Sequence, residues 1–515
     1  MSRGKPEDGA LKGGNHLFDA LFAAGEGAAP AIETETRTFT YAQLEDETAR
    51  FAGALVAVGV KPGDRVAAQV EKSAAGLILY LATIRAGAVF LPLNPTYTLA
   101  ELAYFLADAE PALIVVDPTR RDALAGAAAR VETLDGAGEG SLAALAAGAP
   151  AAFRTVPRAA ADLAAICSTS GTTGRSKGAM LSHGNLVANA KVLRDLWRFT
   201  RRDVLIHALP TYHVHGLFIA THVAMMAGAA MILQPRFEAA AVVAAMARAT
   251  ALMGVPTFST RLLAHPGLTR RAADGMRLFI SGSAPLLAQT HRAWTARTGH
   301  AIVERYGLSE TGMNASNPYE GERRAGTVGF ALPGVELRLV DPAGAPVAPG
   351  TIGSIEVRGP NVFAGYWRNP EATAGAFRAD GFFITGDLGA LDADGYLAIV
   401  GREKDLIITG GLNVYPAEVE AAIGAAPGVV ESAVIGLPHP DLGEAVTAVV
   451  VAAAGAHLTE EAIIAALAGD LARFKQPRRV LFAAELPRNA MGKVQKAALR
   501  ARHARLYAAT REGPA

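Results

Sequence analysis

The stretch TSGTTGRSKG, residues 169–178, gathers glycines, hydroxyls and a lysine into ten positions, a composition suited to wrapping phosphate. Gly171 and Gly174 let backbone approach an anion closely, and Thr169, Ser170, Thr172 and Thr173 supply donors. Lys177 adds a point charge. The spacing is not that of a Walker A loop, in which Lys and then Ser or Thr follow the second glycine. Here Ser176 precedes Lys177 and Gly178 follows it. Composition alone leaves two readings, a phosphate cradle and a flexible surface turn.

A second oddity is MGVPTFSTRLL (253–263), an apolar run carrying one arginine, Arg261. An unpaired buried guanidinium is costly, so its head either reaches water or meets an anion. Four histidines, His207, His213, His215 and His222, fall within sixteen residues. His213 and His215 would share one face of a strand, a spacing compatible with zinc. No Asp or Glu lies between 204 and 237, and Gly216 points to a strand end, so His213 is read as lining a pocket.

The elements that must position these residues alternate. DRVAAQV (64–70), ALIVVD (112–117), DLAAICS (162–168), DVLIHALP (203–210) and MRLFISG (276–282) read as strands, most with a helical pattern following. Thr40 with Gln43, and Thr98 with Glu101, read as capping boxes that open helices. Such alternation predicts a layered α/β fold with largely parallel sheets and ligands at the strand ends. From about residue 330 the text becomes dense in Gly, Pro and β-branched residues, which predicts strands and turns. A smaller unit follows GREKD (401–405), with strands near 429–436 and 445–452, a helix near 459–473 and a basic tail. The predicted division is therefore 1–402 and 403–515.

Composition narrows the function classes. With 49 Lys and Arg against 48 Asp and Glu, the chain has no broad field for nucleic acid or anionic membrane. The single cysteine, Cys167, excludes an internal disulfide framework and a multi-cysteine metal site, and fits a reducing compartment. The first residues, MSRGKPEDGALKGG, lack the apolar core of a secretory signal, and runs such as VAMMAGAAMIL (223–233) fall well short of the ~20 residues of a spanning helix. A soluble cytoplasmic protein is expected.

Five stretches in order along the chain carry a resemblance. TSGTTGRSKG, RYGLSETG (305–312), FFITGDLG (382–389), GREKDLIITGGLNVYPAEVE (401–420) and PRNAMGKVQK (487–496) resemble the motifs of the AMP-forming acyl-CoA synthetases, within the adenylate-forming superfamily. The resemblance implies a large N-terminal domain of layered α/β sheets and a small mobile C-terminal α+β domain. It implies two steps: a carboxylate attacks the α-phosphate of ATP to give acyl-AMP and pyrophosphate, then the thiol of CoA displaces AMP. By this likeness Glu310 is the magnesium-binding acid, a hard-oxygen ligand suited to Mg2+. Lys177 becomes a leaving-group stabiliser, and Lys493 the catalytic lysine that reaches the α-phosphate. Thr169 to Gly174, Ser283, Ala284, Pro285, Arg305, Tyr306, Gly307 and Ser309 are expected around the nucleotide. Asp387, with two acceptor oxygens, is expected on the ribose diol and Arg402 beside it. Lys404 maps to the hinge, and Gly410 and Gly411 to the pantetheine tunnel or, equally, a simple turn.

The acid is read from further text. ALPTYHVHGLF, GVPTFSTRLL, LFISGSAPLL and ERYGLSETGMNASNP are similar to the malonyl-CoA synthetase branch. That likeness implies malonate as the acid, with Arg261 gripping its second carboxylate and methylmalonate as a possible second substrate. His213, Val214, Ser281, Gly282 and Met313 are expected to line the acyl pocket, with Arg236 a weaker alternative to Arg261. Other short acids, loading of a carrier protein, and non-catalytic nucleotide binding are the rival readings. No phosphopantetheine-type serine motif appears in the tail, and Lys493 and Glu310 are both present. A monomer or homodimer is expected.

Overall fold

The computed structural model describes residues 14–169, 176–489 and 492–507. The expected strands form: Arg65–Gln69, Leu113–Val116, Leu163–Thr169, Val204–His207 and Leu278–Ser281. Both capping boxes are present, with Thr40 Oγ1 accepting from the Gln43 amide and Thr98 Oγ1 from the Glu101 amide. The apolar run at 223–233 divides between the end of a helix, Thr221–Met226, and a strand, Ala230–Leu233, both buried. Among the described residues no helix is long and apolar enough to cross a membrane.

Among the described residues the chain builds four sheets. A six-stranded sheet is parallel except for its last pair, in which Leu163–Thr169 runs antiparallel to Lys177–Ser182. A nine-stranded sheet has a parallel centre, with Val204–His207, Ala251–Gly254, Leu278–Ser281 and Val303–Leu308 side by side. Helices such as Tyr41–Ala57, Ala74–Arg85 and His183–Leu196 bury apolar side chains with both sheets in one large core that includes Leu79, Trp197 and Phe218. Such two-sided cover is why these strands read as near-continuous apolar runs.

The change of character after residue 330 corresponds to a four-stranded antiparallel sheet, Glu336–Val340, Gly353–Arg358, Phe383–Leu391 and Leu397–Arg402. The 3-10 turn Glu403–Asp405 then leads into a five-stranded sheet with its own core of Val419, Ile423, Val434, Val446 and Leu467. The helix expected near 459–473 is shorter, Glu460–Leu467, and the basic tail forms a helix, Lys496–His503.

Thr169 pairs with Lys177 across an antiparallel ladder, and residues 170–175 between them lie outside the described residues. One local expectation changes. The strand near the histidines ends at His207, and His215 begins a π-helical turn, His215–Ala220, so His213 and His215 do not share a strand face. π-turns concentrate at functional sites.

Candidate active site

Three groups of side chains converge at the carboxyl ends of the parallel strands. The first is built on Val303–Leu308 and the strand Leu278–Ser281 beside it. Arg305 is buried, and its guanidinium lies against Gly282, where an added Cβ would sit 2.4 Å from Cζ. Arg305 donates to Ser283 Oγ at 3.4 Å, while its Nε has no hydrogen-bond partner. Ser283 adopts a left-handed backbone conformation, φ 70°, strain of a kind that collects at functional sites. Its Oγ also lies 3.3 Å from His215 Nδ1. Burial pulls the Arg305 pKa down to about 9, which leaves it cationic at neutral pH. Burial, Arg305 and Lys493 hold His213 neutral, at about 4. Ser281 Oγ and His215 Nε2 are buried without partners. This corner therefore holds a cation, two neutral imidazoles and spare donors, with no carboxylate ion pair to the arginine among the described residues.

The second group centres on Asp387. Across the antiparallel strands Asp387 stands directly opposite Arg402, and Arg402 Nε meets Asp387 Oδ1 at 2.7 Å. Tyr306 Oη, from the nine-stranded sheet, donates to Asp387 Oδ2 at 2.6 Å. Burial raises the Asp387 pKa, and Arg402, Tyr306 and Lys493 oppose that shift. Lys493 enters from the C-terminal segment, where its amide donates to Asn489 Oδ1 at 3.0 Å. The residue is exposed by surface area, yet it lies near enough to Arg402 and Asp387 for both to act on its charge. Desolvation first, then Arg402 and Lys404, lower its pKa to about 8 against the pull of Asp387 and Asp405.

The third group is Glu310, Tyr366 and Lys177. Glu310 follows Val303–Leu308 at the turn into Gly312–Ser316, and burial raises its pKa. Gly307 is required at this turn, because a Cβ there would meet the Gly312 carbonyl oxygen at 1.9 Å. Tyr366 Oη donates to Glu310 Oε1 at 3.1 Å, and Lys177 Nζ lies 4.9 Å from the centre of the same ring. Among the described residues no cluster of three His, Cys, Asp or Glu side chains could hold a metal ion. A lone acid in a cleft fits Mg2+, which binds through one or two carboxylates and takes its remaining ligands from water and phosphate.

The structure thus brings Arg305, Tyr306, Ser283, His213, Ser281, Gly282, Glu310, Lys177, Asp387, Arg402 and Lys493 around one cleft. Met313 is buried beside it, and Val214 faces a small cavity with Leu186, Asn189, Phe218 and Gly312. Ser170, Gly171, Thr172, Thr173 and Gly174 lie outside the described residues. Other expectations are placed apart. Arg261 is exposed near the end of the helix Pro256–Ala264, close enough to Arg488 to lower the latter's pKa. It is not the buried unpaired charge of this region; Arg305 is. Arg236 is exposed and paired with Glu238 at 2.7 Å. Gly410 and Gly411, both at positive φ, form the exposed two-residue turn between Ile407–Thr409 and Leu412–Val414. Sequence reading missed Tyr366 and the contact of His215 with Ser283; the only signal for Tyr366 was its place in AGYWRN.

The chain is similar to known proteins over nearly its whole length. The AMP-binding enzyme family matches residues 21–367, and the AMP-binding enzyme C-terminal domain matches 418–493. The chain belongs to the AMP-binding, adenylate-forming enzymes, and ATP, Mg2+ and CoA are the cofactor set of its class. ATP-bound MatB from Rhodopseudomonas palustris is 58% identical, with a TM-score of 0.94 over 96% of this chain and 100% of that one. A feruloyl-CoA synthase of Amycolatopsis is 38% identical over 92% of this chain and 96% of its own. The malonate–CoA ligase of Arabidopsis thaliana is 31% identical over 94% of this chain and 88% of its own. The chain is accordingly a CoA ligase that works through an adenylate.

Two expectations follow from the geometry. Gly282→Ala places a methyl group inside the Arg305 guanidinium, so the KM for the acid should rise ~10-fold or more with the melting temperature nearly unchanged. A KM equal to that of the parent would show that the Arg305 contact is irrelevant to the acid. Lys493 is charged only below its lowered pKa, so kcat/KM for adenylation should fall as pH rises through about 8. Lys493→Arg should move that limb to higher pH, as read by pyrophosphate release.

Proposed function

We propose that the enzyme is a malonate–CoA ligase. It would join malonate and CoA through malonyl-AMP, at the expense of ATP and with release of AMP and pyrophosphate. The observation that carries this reading is Arg305, a buried cation with a free Nε beside the spare Ser281 hydroxyl and neutral histidines. A guanidinium without a carboxylate partner calls for an anion from the substrate. An acid with one carboxylate spends it at the α-phosphate and leaves Arg305 unanswered; a short dicarboxylate satisfies both. The likeness to malonate–CoA ligases supports the same acid. The likeness to a feruloyl-CoA synthase does not fit a buried cation in the acyl corner as well.

The roles of the other residues follow from charge. Attack of a carboxylate on ATP brings two anions together, so neutralisation dominates the catalysis. Lys493 would bridge the attacking carboxylate and the α-phosphate. Asp387, held between Arg402 and Tyr306, would receive the ribose diol. Lys177 would face the departing pyrophosphate, with Glu310 holding the Mg2+ that supplies further charge neutralisation. For the second step the unit from residue 403 onward would turn about Lys404, withdraw Lys493 and bring Gly410 and Gly411 to the thiol. Val214, next to a small cavity, leaves methylmalonate a candidate second substrate, since one methyl group shifts discrimination by only ~1–3 kcal/mol.

Pyrophosphate release should be fastest with malonate or methylmalonate among malonate, methylmalonate, succinate, acetate, propionate and ferulate, and acyl-CoA should form only when CoA is added. A preference for ferulate or acetate would overturn the assignment. Arg305→Ala should cut kcat/KM for malonate ~10²-fold while leaving residual acetate activity little changed. The same comparison with Arg261→Ala decides whether the rim arginine shares the task; equal losses with both acids would argue against carboxylate recognition. Lys493→Ala should slow adenylation ~10²–10³-fold and spare conversion of supplied malonyl-AMP with CoA. Parallel loss of both steps would refute the alternation of the small unit.

A further inference from the structure

Glu310 and Lys177 belong to different sheets, and something must hold them in one geometry. The strap 361–367 runs between them. On one side the Phe363 amide donates to the Glu310 carbonyl at 2.8 Å, and Asn361 Nδ2 donates to the Thr311 carbonyl at 2.8 Å. On the other side the strap pairs with the strand that carries Lys177. Ala364 donates to the Met180 carbonyl at 3.0 Å, the Met180 amide to Gly365 at 3.0 Å, and Trp367 to Gly178 at 2.7 Å. Gly365 takes a φ of 133°, where an added Cβ would strike Thr373, so the strap bends at a position only glycine fills easily. The next residue is Tyr366, whose amide donates to Thr373 Oγ1 at 2.9 Å. Backbone bonds on both flanks leave its side chain little freedom.

That side chain has two distinct faces of use. Its hydroxyl reaches Glu310 Oε1, and its ring underlies the Lys177 ammonium. A hydrogen bond fixes which carboxylate oxygen remains available, and a cation over a ring is held without neutralising it. An aspartate or glutamate in place of the ring would pair with Lys177 and remove its charge from the site. We propose that Tyr366 is a positioning residue for adenylation, presenting the free oxygen of Glu310 to the metal and the unneutralised charge of Lys177 to the phosphates. The inference rests on the assignment of Glu310 as the magnesium acid, and the test separates the two.

ATP binding without acid, titrated calorimetrically over a range of Mg2+ concentrations, reads the effect apart from turnover. Tyr366→Phe keeps the ring and removes only the hydroxyl. It should raise the Mg2+ needed for half-maximal binding ~3–10-fold and slow adenylation ~10-fold. Metal-free ATP affinity and the conversion of supplied malonyl-AMP with CoA should stay within twofold. Tyr366→Leu should also weaken metal-free ATP binding ~3-fold or more, because Lys177 loses its support. A native Mg2+ dependence in Tyr366→Phe beside a shifted one in Glu310→Gln would overturn the role of Tyr366 alone. A native dependence in Glu310→Gln would overturn the magnesium assignment and the inference with it. Equal loss of both half-reactions in a variant that melts like the parent would mark Tyr366 as structural and also overturn it.

Discussion

The carboxylate of Asp387 is the point on which the site depends. One oxygen is held by Arg402, the last residue before the turn into the C-terminal unit, and the other by Tyr306 from the nine-stranded sheet. Lys493, from the far end of the chain, adds its charge to the same locality. Three parts of the molecule therefore meet at one buried acid. A buried carboxylate is stable only when paired and hydrogen-bonded, so loss of either partner would leave an expensive charge in a dry place. Its position in turn fixes Arg402 and, through Tyr306, the strand that bears Arg305 and leads to Glu310.

Around that pin the cleft is biased toward cations. Arg305, Arg402, Lys493 and Lys177 outnumber the acids, while burial and neighbouring positive charge keep His213 and His215 neutral. The bias is local, for the chain as a whole carries a net charge of only +1. A site that must join two anions has its electrostatic cost settled in the folded protein beforehand, in a region where the dielectric response is weak and fixed charges act strongly. Burial first, and then Arg402 and Lys404, depress the Lys493 pKa.

Much of this was legible in the sequence. Strand placement came from apolar runs bounded by helical patterns, and both capping boxes came from residue types three apart. Glu310, Asp387, Arg402 and Lys493 could be singled out because their motifs are local in sequence, and the structure brings their charges within reach of one another. What stayed hidden was non-local. Arg305 was read as part of a nucleotide motif, and nothing in its own neighbourhood along the chain signals that its guanidinium is buried against Gly282 with a free Nε. For Arg261 the apolar neighbours left open whether its head reaches water or meets an anion, and its helix turns that position outward. Tyr366 acts across a crossing of two sheets, and no spacing along the chain encodes such a crossing.

The antiparallel pairing of Leu163–Thr169 with Lys177–Ser182 decides where one charge of the site points. Lys177 owes its direction to the register Thr169 with Lys177, and a slip of one residue would turn it to the opposite face of the sheet. The direction of that charge is therefore a property of the whole ladder from Leu163 to Ser182, and a substitution in the middle of either strand that loosened the pairing would blur the lysine's aim without touching the lysine itself.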